Sequence, residues 1–236
     1  MFTIEIAGIA IAVSNRFHST KRMFKDYLSR REPVFTVSSS DEDMKLEDGE
    51  VSAYAEQHSI VRKISHFLTD YNAFLMHAAI ISVDGQGVGF AAQSGTGKST
   101  RVILWQKAMG KRVEVVNGDK PILRFKDDGL YAYGTPWMGK EGWGKNTSVP
   151  MTAMCFLERG EDVSLRRMSP AEVLPRLLRQ ILIPNDAKIM NAYMALIERF
   201  ARTVPCYLYT CNMDKEKPEE IWEQIKWDQF QSEQTA

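Results

Sequence analysis

A chain of 236 residues has room for one domain, or for one domain with a small appendage. Its 44% hydrophobic and 25% charged residues are ordinary for a globular protein, and 30 lysines and arginines against 30 aspartates and glutamates leave no formal net charge, which argues against a bulk nucleic-acid binder or a binder of anionic membranes. Three cysteines, Cys155, Cys206 and Cys211, have neither CxxC nor metal-ligand spacing, so a disulfide scaffold and a zinc site are disfavoured and a cytoplasmic setting fits best.

Residues 2–13 are apolar and read as a strand pair. Glu5 and the lack of a basic leader speak against a signal peptide, and no apolar run reaches the roughly 18 residues of a membrane span. A short helix is expected from Thr20 to Arg31, ended by Pro33, and a strand at Val34–Val37. Residues 38–50 are Ser-rich and then acidic (Asp41, Glu42, Asp43, Glu47, Asp48, Glu50), which predicts a solvated loop. Residues 52–69 carry Ile60, Val61, Ile64, Phe67 and Leu68 on one helical face. A strand over 74–83, a hairpin turn at Asp84–Gly87 and a return strand over 88–92 follow. A helix over 98–109 is closed by Gly110. Strands are expected at 112–116, 122–125, 130–133, 151–158 and, as an edge, 163–167, with a Gly-rich loop over 134–148. Ser169-Pro170-Ala171-Glu172 is a capping box with proline at the first helical position. It predicts a helix burying Val173, Leu174, Leu177, Leu178, Ile181 and Leu182 up to Pro184. A helix over 187–202, a strand at 206–210 and a last helix from Pro218 complete the chain, with a frayed polar tail over 229–236. The fold class expected is α/β with a mixed sheet. The division expected is an N-terminal α/β region over 1–70, a nucleotide-binding domain over 71–228, and the tail.

The segment that carries chemistry is Ala92-Gln93-Ser94-Gly95-Thr96-Gly97-Lys98-Ser99-Thr100, which closes an apolar strand and opens a helix. Glycines at such a place let backbone N–H groups turn toward phosphate oxygens, Lys98 can reach the β- and γ-phosphates, and the Ser99 hydroxyl can ligate Mg²⁺. Ser94, Gly95, Thr96, Gly97, Lys98, Ser99 and Thr100 are therefore candidate nucleotide contacts. Ala92 stands where the usual pattern has glycine. The hairpin entry is also unlike the parallel strand and crossover helix that usually precede such a loop.

Three features recur in order: a histidine beginning the strand before the loop (Leu75-Met76-His77-Ala78-Ala79), the loop itself, and an acid ending the next strand (Val116-Asn117-Gly118-Asp119). In that combination the chain resembles the HPr serine kinase/phosphorylase group, whose nucleotide-binding core is shared with the phosphoenolpyruvate carboxykinases. The resemblance covers roughly residues 74–157. It implies a P-loop core with C-terminal helices, ATP or another NTP with Mg²⁺ as cofactors, and a kinase acting on a hydroxyl, serine or threonine of a small protein or peptide. It places Lys98 at the transferring phosphate, Ser99 on the metal, His77 near the γ-phosphate as a metal neighbour or a proton-handling group, and Asp119 either on the metal or orienting the acceptor hydroxyl. It makes a homo-oligomer compatible with the family, with no nucleic acid or membrane partner.

Kinases of that group carry two adjacent aspartates where this chain has Gly118-Asp119. Asp119, His77 and Glu141 are then the candidates for the catalytic base. The alternatives are a nucleotide-binding regulatory module without phosphotransfer and a carboxykinase-like enzyme, for which the chain looks too short. The segment Thr135–Asn146, rich in glycine, tryptophan and charge, has the composition of a binding loop, and Lys140 and Glu141 are its candidates for the phosphate or acceptor side; its tryptophans could equally fill a core gap. His18, His58 and His66 read as surface or packing residues. Arg166, Arg167, Arg176 and Arg179 read as a solvated face or an anion contact.

Overall fold

The computed structural model describes residues 1–184 and 186–234. Strands β1 (Phe2–Ile6) and β2 (Ile9–Ser14) form a hairpin, and helix α1 (His18–Met23) leads to β3 (Phe35–Ser38), which adds to β2 in parallel. Helices α2 (Asp41–Asp48) and α3 (Ala53–Leu68) follow. The second sheet contains β4 (Ala73–Leu75), β5 (Ala78–Val83) and β6 (Gln86–Ala91), then, after α4 (Lys98–Met109), β7 (Val113–Asn117), β8 (Ile122–Lys126), β9 (Gly129–Tyr133), β10 (Ser148–Arg159) and β11 (Ser164–Arg167). Helices α5 (Pro170–Leu177) and α6 (Ala187–Thr203), strand β12 (Cys206–Cys211) and helix α7 (Pro218–Gln234) complete the chain. The result is a mixed α/β fold whose large sheet runs β4-β8-β9-β10-β6-β5-β7, with β12 on β10 and β11 on β12.

The sheet separates two cores because successive side chains of a strand point to opposite faces. Along β5, Ala78 and Ile80 join Phe74, Leu177, Tyr193 and Phe200 on the α5/α6 side, while Ala79, Ile81 and Val83 join Phe90, Trp105, Trp222 and Ile225 on the α4/α7 side. A third cluster packs β1, β2 and α3 against the β4–β8 end, and Trp137 enters it edge-on to Phe24, with ring centroids 6.1 Å apart. Strand β10 joins the two halves of the large sheet. Ser148–Pro150 pairs antiparallel with β9, whereas Met151–Phe156 pairs parallel with β6, with a register irregularity at the change.

Several expectations are corrected. The first helix is one and a half turns long and gives way to a 3₁₀ turn at Lys25–Tyr27, because Tyr27 is drawn into the core and Ser29 N donates to Thr3 O at the edge of β1. The acidic segment is helical. Ser40 and Asp43 form a reciprocal capping box, Gly49 closes α2 in the left-handed region, and Asp43 and Glu47 pair with Lys63 and Arg62 of α3. The strand expected over 74–83 is broken at Met76-His77, where it passes from β8 to β7 as neighbour. Helix α5 stops at Leu177, and Ile181 instead bridges Met76. The segment expected to fray from Gln229 is helical through Gln234, held by Gln229 Nε2 donating to Thr152 O; residues 235 and 236 lie outside the described residues. Cys155, Cys206 and Cys211 are buried free thiols, and no described helix is long and apolar enough to cross a membrane.

Candidate functional site

The loop joining β6 to α4 is shaped by its glycines. Gly95 and Gly97 have φ of +81° and +120°, values that a side chain would strain. Ala92 has no positive φ and is buried, so that position has no need of glycine. Gly97 caps α4 without a side-chain acceptor, and no acid stands in the first turn. The free N–H groups of the helix start and the positive end of its dipole therefore remain available to an anion. Lys98 Nζ donates to Ala92 O at 2.9 Å, and Ser99 Oγ donates to Glu141 Oε1 at 2.8 Å. Burial lowers the Lys98 pKa, against the opposing pull of Asp119 and Glu141.

Asp119 is held from three sides. His77 Nε2 lies 3.3 Å from Oδ1, and Lys120 Nζ donates to Oδ2 at 2.6 Å. Its own N–H donates to Asn117 Oδ1 at 2.9 Å. Burial favours the neutral acid, but the contacts with His77 and Lys120 outweigh it and hold the carboxyl at a pKa of about 2. His77 itself sits at the break between β4 and β5, its N–H bonded to Gln180 O at 2.6 Å. In the amide orientation that satisfies its neighbours, Gln180 donates to His77 Nδ1 (3.2 Å) and Ala92 O (3.1 Å). Both imidazole nitrogens then have a polar partner, Nδ1 the Gln180 amide and Nε2 the Asp119 carboxylate.

Asn117 is fully buried and ties the strand end to the loop above it. Its amide donates to Thr135 O and Oγ1, and its Oδ1 accepts from both Asp119 N and Lys120 N. The 134–147 loop returns over β7 through Gly118 N to Trp143 O and Lys145 N to Val116 O. It occupies the space beside Gly118, where a Cβ would lie 3.2 Å from Met138 O and 3.3 Å from Trp143 Cβ. The same fold-over brings Lys140 and Glu141 to the glycine loop.

One cavity of about 450 Å³ gathers His77, Ser94, Gly95, Gly97, Lys98, Ser99, Thr100, Asp119, Lys140 and Glu141. Of the sequence-predicted site residues, Thr96 is placed elsewhere. It faces a second cavity of about 540 Å³ on the other flank of the loop, lined also by Arg159, Arg176 and Arg179. Arg166 and Arg167 lie apart from both, engaged with Glu172 and Tyr207. Among the described residues no three His, Cys, Asp or Glu side chains are grouped to hold a metal alone. The oxygens of Ser99, Asp119 and Glu141 around one cavity are hard donors that suit Mg²⁺ sharing its shell with phosphate and water. Sequence reasoning missed Gln180 and Asn117. Asn117 had a signal, a polar residue closing an apolar strand. Gln180 had none, since it reaches His77 only through the turn after α5.

No family model matches the sequence, and no curated protein matches it significantly. A search of solved structures pairs the chain with a structure described as the Hpr(Ser) kinase/phosphatase from Coxiella burnetii, at a TM-score of 0.42 and 13% identity, covering 68% of this chain and 93% of that one.

Proposed function

We propose that the chain is a Mg-nucleotide-dependent kinase that transfers the γ-phosphoryl group of ATP, or another NTP, to a hydroxyl, serine or threonine of a small protein or peptide. The observation that carries this reading is the single cavity in which the open start of α4, Lys98 and Ser99 meet the His77–Asp119 pair and Glu141. Phosphoryl transfer depends on positioning and on neutralising charge. The helix start and Lys98 supply the second need. Ser99 and Asp119, with Glu141 beside them, are the groups that would hold Mg²⁺, which when bound neutralises charge on the phosphates.

In the step proposed, the acceptor oxygen attacks the γ-phosphorus and forms the new P–O bond. The bond to the β,γ-bridging oxygen breaks, and the nucleoside diphosphate leaves. The hydroxyl proton passes to Asp119 and from there to solvent. A carboxylate with a pKa of about 2 is a weak base, so its part is mainly to orient the hydroxyl, as suits a loose transition state in which the acceptor keeps its proton until late. His77, with both nitrogens engaged, positions Asp119.

Calorimetric titration with Mg-ATP, followed by transfer of label from γ-labelled ATP into cell extract, tests the reading. Wild-type protein is expected to bind and to label an acceptor, and Lys98→Ala to weaken binding about tenfold or more. Normal ATP binding and turnover by Lys98→Ala would show that the site is misassigned. Gly118 favours a second reading, a nucleotide-binding regulatory module without transfer; binding with no labelled acceptor would select it.

A further inference from the structure

A third cavity, of about 440 Å³, lies between α3 and the 136–140 segment. It shares Asp119, Gly139 and Lys140 with the site cavity, so the two meet at the carboxylate. The arginine-lined cavity on the other flank shares Ser94 and Gly95 with the site and does not reach Asp119. None of the glycine-loop residues lines the α3 cavity, so it offers no helix start and no Lys98 to a phosphate chain.

Its walls are of another kind. Met23, Val61, Trp137 and Met138 supply apolar surface, and Tyr54 and His58 form a ring pair with centroids 4.0 Å apart. Lys120 turns its ammonium to Asp119, while Lys140 at the mouth has no ion-pair partner among the described residues.

On the kinase reading above, we infer that this cavity is the acceptor site, and that it selects a hydroxyl carried next to an aromatic or branched apolar side chain of a peptide. The apolar body fills the space between α3 and Trp137, and the hydroxyl emerges at Asp119. A cavity of this size takes one such side chain with the backbone that carries it. The N-terminal region then acts as a wall of the active site: Met23 of α1 and the α3 face at Tyr54, Gln57, His58 and Val61 decide which hydroxyl is presented.

The test uses two probes, N-acetyl-seryl-phenylalaninamide and N-acetylserinamide, titrated into the full chain saturated with Mg²⁺ and a non-hydrolysable ATP analogue. The first should bind about tenfold or more tightly than the second. Gln57→Trp, which fills the cavity from a partly exposed helix position, should abolish that preference while leaving ATP affinity within about twofold. Tyr54→Ala, at an exposed ring, serves as a milder second variant and should reduce the preference. Equal binding of the two probes, a preference untouched by Gln57→Trp, or competition between the aromatic probe and the nucleotide would overturn the inference; competition would assign the cavity to the nucleoside. Loss of ATP binding in wild-type protein that still prefers the aromatic probe would sink the kinase reading and leave the apolar cavity as a peptide site.

Discussion

Asp119 stays ionised because the contacts with His77 and Lys120 outweigh its burial. Its pKa falls from the ordinary 3.8 to about 2, so the native state binds this proton less readily than the unfolded chain does. The resulting stabilisation, about 2 kcal/mol, is fully present above pH ~4 and is lost as the pH falls toward 2. Acid unfolding followed by circular dichroism should therefore show Asp119→Asn losing the part of the pH dependence between about 4 and 2 that wild type retains. An unchanged profile would mean that the pair does not form. Gly118 makes a second case. With Met138 O and Trp143 already at 3.2–3.3 Å from a Cβ there, Gly118→Asp should lower unfolding free energy by about 1–3 kcal/mol and fail to raise transfer. Lys98 and Ser99 were legible in the chain, since they belong to a glycine-rich motif whose spacing implies phosphate and metal contact, and Asp119 was pointed to by the family resemblance. The residues that hold them were not. Gln180 meets His77 only because α5 ends early, and His58 meets Asp119's cavity only because α3 packs on the 136–140 segment.

At the scale of elements, the glycine loop is steadied from behind. Arg101 of α4 is buried in an ion pair with Glu216, which also accepts from the Tyr209 hydroxyl, so the helix carrying Lys98 and Ser99 is tied to the segment leading into α7. Glu216→Ala leaves a buried guanidinium unpaired and should cost about 3–5 kcal/mol in denaturant unfolding. A loss below about 1 kcal/mol would show the pair to be dispensable. Helix α2 shows where composition misled. Its acidic residues look like solvated loop, yet the Ser40–Asp43 box, buried Met44 and the pairs to Lys63 and Arg62 make a helix. Ser40→Ala should cost about 1 kcal/mol by thermal unfolding. The amphipathic period of α3, the Asp84-Gly85 hairpin and the Ser169–Glu172 box were all visible locally because each is complete within a few residues.

At the scale of the molecule, the arrangement depends on long-range pairing that no local pattern states. β10 changes from antiparallel with β9 to parallel with β6. The chain between β4 and β5 changes partners at His77, which is how the histidine comes to face Asp119. The N-terminal region packs Trp137 into its own core and thereby fixes one end of the loop that delivers Lys140 and Glu141. Calorimetric titration of Mg-ATP into wild-type protein and into Lys98→Ala, each paired with a γ-phosphate transfer assay, tests whether the glycine loop binds and uses nucleotide. Wild-type protein is expected to show saturable one-site binding and transfer, with binding weakened about tenfold or more and transfer lost in the variant. Wild-type protein that shows no Mg-ATP binding, or a variant that binds and transfers as wild type does, would contradict this expectation.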